Sequence, residues 1–261
     1  MASAKIIVPC YNEENRLDVA GFKNFTPSHS ISFLFVNDGS TDTTRQRLEA
    51  LKSGDPTRFA ILDLQQNTGK AEAVRRGILA ARDSNSDYIG YWDADLATPL
   101  DTIPKFIDLA ESRPELQIIM GSRVKLLGRR IERRRSRHYI GRVFATIVSS
   151  ILRLDVYDTQ CGAKLLRASP SMFSLFRQPF LSRWIFDVEI LARLIQTTRG
   201  NDLPEARDMV YEFPLTEWRD VPGSKLGYTD FIRAAWELGR IYGKYSRIDN
   251  NCGSRNPQTP S

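Results

Sequence analysis

Cysteine is scarce in this chain: Cys10, Cys161 and Cys252 are the three in 261 residues. An odd number rules out a fully paired disulfide framework, and the spacing fits neither a zinc knuckle nor a redox pair, so a reducing compartment is expected. Long apolar runs are missing too. No stretch reaches the roughly 18 apolar residues of a membrane-spanning helix. The opening MASAK passes directly into IIVPCY, too short a run for a signal peptide. Neither Gly-x-Gly-x-x-Gly nor a Walker A pattern follows that first apolar run, which argues against a dinucleotide fold and against a P-loop. Internal repeats are absent, and no linker is long enough to separate independent domains.

What is present is ordinary for a globular protein, with 41% hydrophobic and 26% charged residues. The net charge of +6 is unevenly spread. Between Gly121 and Arg142 lie nine basic residues (Arg123, Lys125, Arg129, Arg130, Arg133, Arg134, Arg135, Arg137 and Arg142) and one acid, Glu132. The remaining 28 basic and 30 acidic residues leave the rest of the chain at −2. A near-neutral body thus carries one strongly positive stretch.

Short apolar or alternating runs at 5–10, 31–37, 59–64, 88–92 and 116–120 predict strands. Helical patterns fall between them: a short helix after Glu13, then 43–51, 70–82 and 102–110. That alternation predicts βαβ units, an α/β fold with a mostly parallel sheet and helices on both faces. Further on, apolar residues at three- and four-residue spacing predict helices at 137–152, 184–196 and 231–242, with a strand-like MVYEFPL before the last. The tail, rich in Asn, Ser and Pro, has nothing to bury and is expected to be disordered over 246–261.

Chemistry concentrates where the predicted strands end. Trp-Asp-Ala-Asp closes YIGYW, and strand alternation points Asp93 and Asp95 to one side. Two carboxylates so close repel unless a cation intervenes, commonly a divalent metal that also binds phosphates; an Asp-rich turn is the plain alternative. Asp38 ends a second strand in VNDGST, and PCYNE repeats the arrangement after the first. Three such strand ends favour one ligand crevice beyond the carboxyl edge of the sheet. Thr68-Gly69-Lys70 opens a helix, where backbone N–H groups and an ammonium can meet an anion; a solvated first-turn lysine is the alternative.

The basic stretch runs into the apolar face of Ile140, Val143, Phe144, Ile147, Val148 and Ile151. A basic flank on such a face suits an interfacial helix on anionic lipid, although packing on the sheet is the commoner fate. Nucleic acid is disfavoured, because no aromatic breaks the basic cluster before Tyr139 and no reading motif is present. In WIFDVEI, Asp187 and Glu189 are two residues apart and cannot share a helix face. At most one is expected in the crevice, with the other at its rim or paired with Arg183 or Arg193.

The ordered blocks PCYNEENRL, VNDGSTD, NTGKAEAVRRG, WDADLATP, GSR, DTQCGAKLL, RWIFDVEIL and WRDVPGSKL resemble the inverting GT-A glycosyltransferases of family 2. Within these they are most similar to the branch that acts on dolichyl and other polyprenyl phosphates. The resemblance spans about residues 5–230 and implies a Rossmann-like GT-A fold. It implies one domain over 1–245, with a nucleotide-sugar half at 1–122 and an acceptor-side half at 123–245. By the same resemblance Pro9, Tyr11, Glu13 and Asp38 line the base and ribose pocket, with Lys70 nearby. Asp93 holds the sugar-diphosphate end and Asp95 ligates Mg²⁺ or Mn²⁺. Arg123 and Arg137 face an acceptor phosphate, and Ser224 and Lys225 lie in a loop that closes over the donor.

The implied reaction moves a glucosyl group from UDP-glucose to dolichyl or polyprenyl phosphate. Asp187 or Glu189 is the available base if the acceptor is instead a hydroxyl. GDP-mannose or another nucleotide sugar as donor, a soluble hydroxyl acceptor, or a non-catalytic nucleotide or nucleic-acid binding module are the alternatives. Lipid-phosphate members commonly carry a transmembrane helix, and this sequence shows none. Either peripheral attachment through 129–152, on the cytosolic face of a membrane, or a soluble acceptor is therefore expected.

Overall fold

The computed structural model describes residues 1–132, 135–199, 204–221 and 228–245; side-chain description further omits 135–138, 228–232 and 235. The N-terminal half alternates strand and helix: β1 (Ser3–Cys10), α1 (Val19–Asn24), β2 (Ser30–Asp38), α2 (Thr44–Gly54), β3 (Phe59–Leu64), α3 (Lys70–Ala80), β4 (Tyr88–Trp92), α4 (Thr102–Ser112) and β5 (Ile118–Ser122). There follow β6 (Arg130–Glu132), α5 (Arg135–Leu152), β7 (Ala163–Arg167), α6 (Pro170–Ser174), α7 (Phe186–Thr198), α8 (Ala206–Met209), β8 (Val210–Pro214), β9 (Glu217–Arg219) and α9 (Tyr228–Tyr245).

Seven strands form one sheet in the order β3-β2-β1-β4-β7-β5-β8, and β6 pairs with β9 in a small second sheet. Strands β1 to β4 are mutually parallel, as βαβ crossovers require, and β5 runs parallel to β8. β7 is antiparallel to both its neighbours, β4 and β5. The expected strand at 116–120 starts two residues later, at Ile118. No strand was expected at 163–167, because Lys164 interrupts the apolar pattern there; that lysine proves to be buried.

Period-2 alternation sends neighbouring strand residues into two cores. Ile6, Val8, Phe33 and Phe35 pack with Phe22 of α1, Leu48 of α2 and Phe106 of α4. Ile7, Leu34, Val36 and Tyr91 pack with Val74 of α3, Val148 of α5, Leu191 of α7 and Leu238 of α9. Helices thus cover both faces, which is why these strands read as nearly continuous apolar runs.

Helix α5 divides along its length. Ala145, Val148 and Leu152 are buried, and Phe144 and Ile151 pack partly on that core. Tyr139, Ile140, Val143 and Ile147 remain exposed, Val143 by 62%. The apolar face read from the sequence is therefore partly core and partly open surface. No helix among the described residues is long and apolar enough to cross a membrane.

Candidate active site

The carboxyl ends of β1, β2 and β4 meet one another through their loops. After β1 the Asn12 amide donates to Ser40 Oγ at 3.0 Å and the Glu13 amide to Thr44 Oγ1 at 2.7 Å, while the Thr41 amide donates to Asn12 Oδ1 at 2.9 Å. Pro9, Tyr11 and Glu13 are thereby held beside the turn that follows Asp38. The buried Asp38 carboxylate accepts from the Thr68 amide (2.8 Å), Thr68 Oγ1 (2.7 Å) and the Gly69 amide (2.8 Å). Its oxygens fix the turn before α3 and so set the position of Lys70, the first residue of that helix. Gly39 has φ of +66°, and a Cβ there would come within 2.5 Å of the Gln66 backbone. Only glycine lets β2 leave beneath that loop.

Asp93 follows the last residue of β4. Its amide donates to the Gly162 carbonyl at 3.0 Å, and its Oδ1 accepts from Lys70 Nζ at 2.5 Å. Asp95 lies two residues on, with Oδ1 accepting from the Ala97 amide at 3.1 Å and Oδ2 bonded to the Arg16 guanidinium. Each carboxylate therefore rests on a cation supplied by another part of the chain, Lys70 at the start of α3 and Arg16 from the loop after β1. Burial disfavours the charged form of Lys70, but Asp93 and then Asp187 outweigh it and raise its pKa above the ordinary value. Burial and the neighbouring Asp93 charge hold the Asp95 carboxyl above its usual range, against the pull of Arg16 and Lys70.

Among the described residues no group of three or more His, Cys, Asp or Glu gathers to hold a metal by itself. The Asp93–Asp95 pair offers two hard oxygen donors at one edge of the crevice. That set fits Mg²⁺ or Mn²⁺ of the kind held by one or two carboxylates, with waters and substrate phosphates completing the shell.

Asp187 and Glu189 diverge, as their spacing requires. Asp187 Oδ1 accepts from Lys164 Nζ at 2.6 Å and from the Tyr91 hydroxyl. Lys164 also donates to the Thr159 and Cys161 carbonyls, at 2.9 and 2.8 Å. Burial and then the Asp187 charge push the Tyr91 phenol well above its usual pKa. Glu189 is not brought to the crevice. It is fully buried; its Oε2 accepts from the Leu181 amide at 2.7 Å, and its Oε1 from Arg193 Nη2 (2.8 Å) and the Tyr245 hydroxyl (2.9 Å). Arg193, one of the two partners expected from sequence, also binds the carbonyls of Leu175, Gln178 and Pro179. Glu189 thus holds together the segment before α7 rather than facing a reactant.

Arg123 follows β5 and makes a two-point pair with Asp158, Nε to Oδ2 at 2.6 Å and Nη2 to Oδ1 at 2.7 Å, its guanidinium 5.2 Å from the Trp218 ring centroid. Burial works against its charge, but the Asp158 carboxylate more than offsets it, with Asp93 adding to the effect. Arg123 and Asp93 are thus electrostatic neighbours. The side chain of Arg137, together with Ser224 and Lys225, lies outside the described residues.

Sequence reasoning gave no role to Arg16, Tyr91, Asp158, Gly162 or Lys164, yet all five touch the candidate residues. Asp158, Gly162 and Lys164 belong to the DTQCGAKLL block, whose members divide the work: Asp158 clamps Arg123, Lys164 meets Asp187, and Gly162 makes room for Asp93. The signal for Lys164 was a lysine inside an apolar run, a residue almost never fully buried unless paired.

Gly162 supplies a direct test. A Cβ there would stand 1.9 Å from Asp93 Oδ2, so the carboxylate has to move. Because the displaced atom ends a side chain and the Gly162 backbone is not in a left-handed conformation, Gly162→Ala should fold with a melting temperature close to wild type. Turnover should fall by at least about 10-fold, the scale on which small misplacements of reacting groups act. Equal turnover of the two proteins would show that the position of Asp93 does not matter.

The comparisons with known proteins agree with this architecture. The model of the family described as glycosyl transferase family 2 matches residues 5–177. The chain is 31% identical over 255 residues to the dolichyl-phosphate beta-glucosyltransferase of Dictyostelium discoideum, covering 92% of this chain and 74% of that protein. It is 30% identical over 254 residues to the dolichyl-phosphate beta-glucosyltransferase of Saccharomyces cerevisiae, with 89% and 72% covered. Glucosyl-3-phosphoglycerate synthase from Mycobacterium tuberculosis, in complex with Mn²⁺, UDP-glucose and phosphoglyceric acid, shares the fold with a TM-score of 0.64 at 19% identity, over 93% of this chain and 80% of that one. With acids gathered at the carboxyl ends of a GT-A sheet and the family model matched from the first strand through the seventh, this chain is a glycosyltransferase and belongs to glycosyl transferase family 2.

Proposed function

We propose that this glycosyltransferase moves a glucosyl group from UDP-glucose to a polyprenyl or dolichyl phosphate, inverting the anomeric carbon, with Mg²⁺ or Mn²⁺ as cofactor. The observation that carries the reading is the Asp93–Asp95 pair at the end of β4, each carboxylate resting on a cation at the end of a flexible side chain, with Arg123 in electrostatic reach of Asp93. The names of the Dictyostelium and yeast relatives support a dolichyl phosphate acceptor and glucosyl transfer. The mycobacterial complex supports UDP-glucose and a metal on this fold, though with phosphoglyceric acid beside them.

In this reading Pro9, Tyr11, Glu13 and the Asp38-held turn line the base and ribose. Lys70 stands by the diphosphate, and Ser224 and Lys225 close over the donor. Asp95, with Asp93 beside it, holds the divalent cation, which when bound offsets negative charge on the departing UDP. Arg123, fixed by Asp158, and Arg137 orient the acceptor phosphate toward the sugar. A phosphate monoester is already anionic near neutral pH, so its oxygen attacks without a general base, and orientation supplies most of the advantage. Asp187 then acts as a fixed negative charge, its Oδ1 taken up by Lys164 and Tyr91. With a hydroxyl acceptor, Asp187 is the base.

The acceptor is presented at a membrane surface on the cytosolic side. The exposed Tyr139, Ile140, Val143 and Ile147 enter the interface, and the arginines of 129–137 meet anionic headgroups. Each basic residue contributes on the order of 1 kcal/mol near such a surface, an attraction that salt screens.

Two experiments test the proposal. Purified protein with Mn²⁺ and a panel of UDP- and GDP-sugars should transfer glucose from UDP-glucose to a polyprenyl phosphate, and NMR of the product should show a β-linked glucosyl phosphate. Preference for GDP-mannose would overturn the donor, and transfer to phosphoglycerate alone would overturn the acceptor. Wild type should float with anionic liposomes at low salt and be released at high salt. Val143→Gln combined with Ile147→Gln should weaken flotation several-fold while leaving transfer to a short, water-soluble prenyl phosphate largely intact. Equal flotation of wild type and double variant would reject docking through α5.

A further inference from the structure

Arg16 lies in the PCYNEENRL block without an expected role there, yet its guanidinium rests on Oδ2 of Asp95, the carboxylate proposed to hold the metal. The residue sits on a tight turn, with the Arg16 and Leu17 amides donating to the Glu13 carbonyl at 3.0 and 2.8 Å. That turn is tied to the Asp93–Asp95 loop by the Asp18 amide, 3.4 Å from the Ala94 carbonyl. Asp95 Oδ1 accepts from the Ala97 amide, which holds the carboxylate in place. On the other, Oδ2, lies Arg16 Nη2, while Arg16 Nη1 is 3.4 Å from Glu13 Oε2. Arg16 Nε is buried and has no hydrogen-bond partner. The guanidinium is thus incompletely satisfied where it rests. Its side chain retains 21% exposure against 10% for Asp95, which leaves it a way out that the carboxylate lacks.

We infer that Arg16 is a tethered counter-ion for Asp95, holding the carboxylate while the site lacks its divalent cation and giving up Oδ2 when the cation binds. The inference rests on the metal reading made above and adds a residue to it. Two positive charges cannot share one partly buried oxygen without repulsion. A cation that takes Oδ2 therefore displaces the guanidinium, and Arg16 weakens cation binding by the free protein. Glu13 stays within reach as the pivot. A bound nucleoside diphosphate adds negative charge on which the displaced guanidinium can settle. Cation and nucleotide then bind cooperatively, each raising the affinity for the other by the same factor. The device favours loading of metal and nucleotide together over metal alone.

Titrating Mn²⁺ into nucleotide-free protein, with free Mn²⁺ read by electron paramagnetic resonance, tests this without any activity measurement. Wild type, Arg16→Gln, Arg16→Lys and Asp95→Asn are compared, each checked by circular dichroism melting, with and without saturating UDP. Arg16→Gln should bind Mn²⁺ at least about 10-fold more tightly than wild type and gain less from UDP, on the scale of roughly 5- to 150-fold usual for such coupling. Arg16→Lys, which keeps the charge, should stay near wild type. Asp95→Asn should lose most binding. If Arg16→Gln binds no more tightly than wild type while Asp95→Asn loses binding, the counter-ion role falls and the metal reading stands. Equal tightening by Arg16→Lys and Arg16→Gln would also overturn the role, since charge would then not be the cause. Wild-type Mn²⁺ binding by Asp95→Asn would remove the metal site itself, and this inference with it.

Discussion

Two carboxylates leave one strand end two residues apart, and the layout of the surrounding loops follows from the need to neutralise them. Like charges at that separation do not both ionise cheaply in a partly buried place. The chain answers with two cations from different regions of the sequence, Lys70 on Asp93 and Arg16 on Asp95. Lys70 reaches its place because Asp38 captures the Thr68–Gly69 turn, and Asp93 because Gly162 presents no side chain. Both partners sit at the ends of flexible side chains, so the pair can be handed to a ligand without moving the sheet. A rigid frame with exchangeable counter-charges is what a site for an anionic, metal-assisted donor requires.

The remaining ionised groups sort by depth. Glu189 and Arg193 are buried together, and their hydrogen bonds tie α7 and α9 to the segment around Leu181. Asp187, one face round the same helix, meets Lys164 and Tyr91 beneath the crevice. Arg123 and Asp158 form the third pair, stacked near Trp218. The Arg123 guanidinium is also an electrostatic neighbour of Asp93. Such pairs add little net stability, and their value lies in fixing where charge stands.

Much of this was legible in the sequence, because strand period and strand-end acids are local signals. The runs at 59–64 and 88–92 are strands with those bounds, and α3 begins at Lys70 as expected. Asp187 and Glu189 face different ways as expected, because helix geometry alone decides it. Lys164 hid β7, since a charged residue breaks an apolar pattern and its partner Asp187 is 23 residues away in the chain. Arg16 was illegible for a related reason: its partner Asp95 lies 79 residues away, and nothing near Arg16 marks it off from a solvated turn arginine. The α5 face was half legible. Its periodicity was plain, but only the packing of Val148 and Leu152 on the core separates the buried edge from the open one.

The central claim is that the Asp93–Asp95 pair receives a nucleoside diphosphate together with a divalent cation. Anomalous diffraction from crystals grown with Mn²⁺ and UDP measures this most directly. A single strong manganese peak bridging the Asp95 carboxylate and the UDP diphosphate at the end of β4, with uracil beside Tyr11 and the Asp38 turn, is the predicted result. A diphosphate bound away from β4, or manganese bound without contact to either carboxylate, would contradict it.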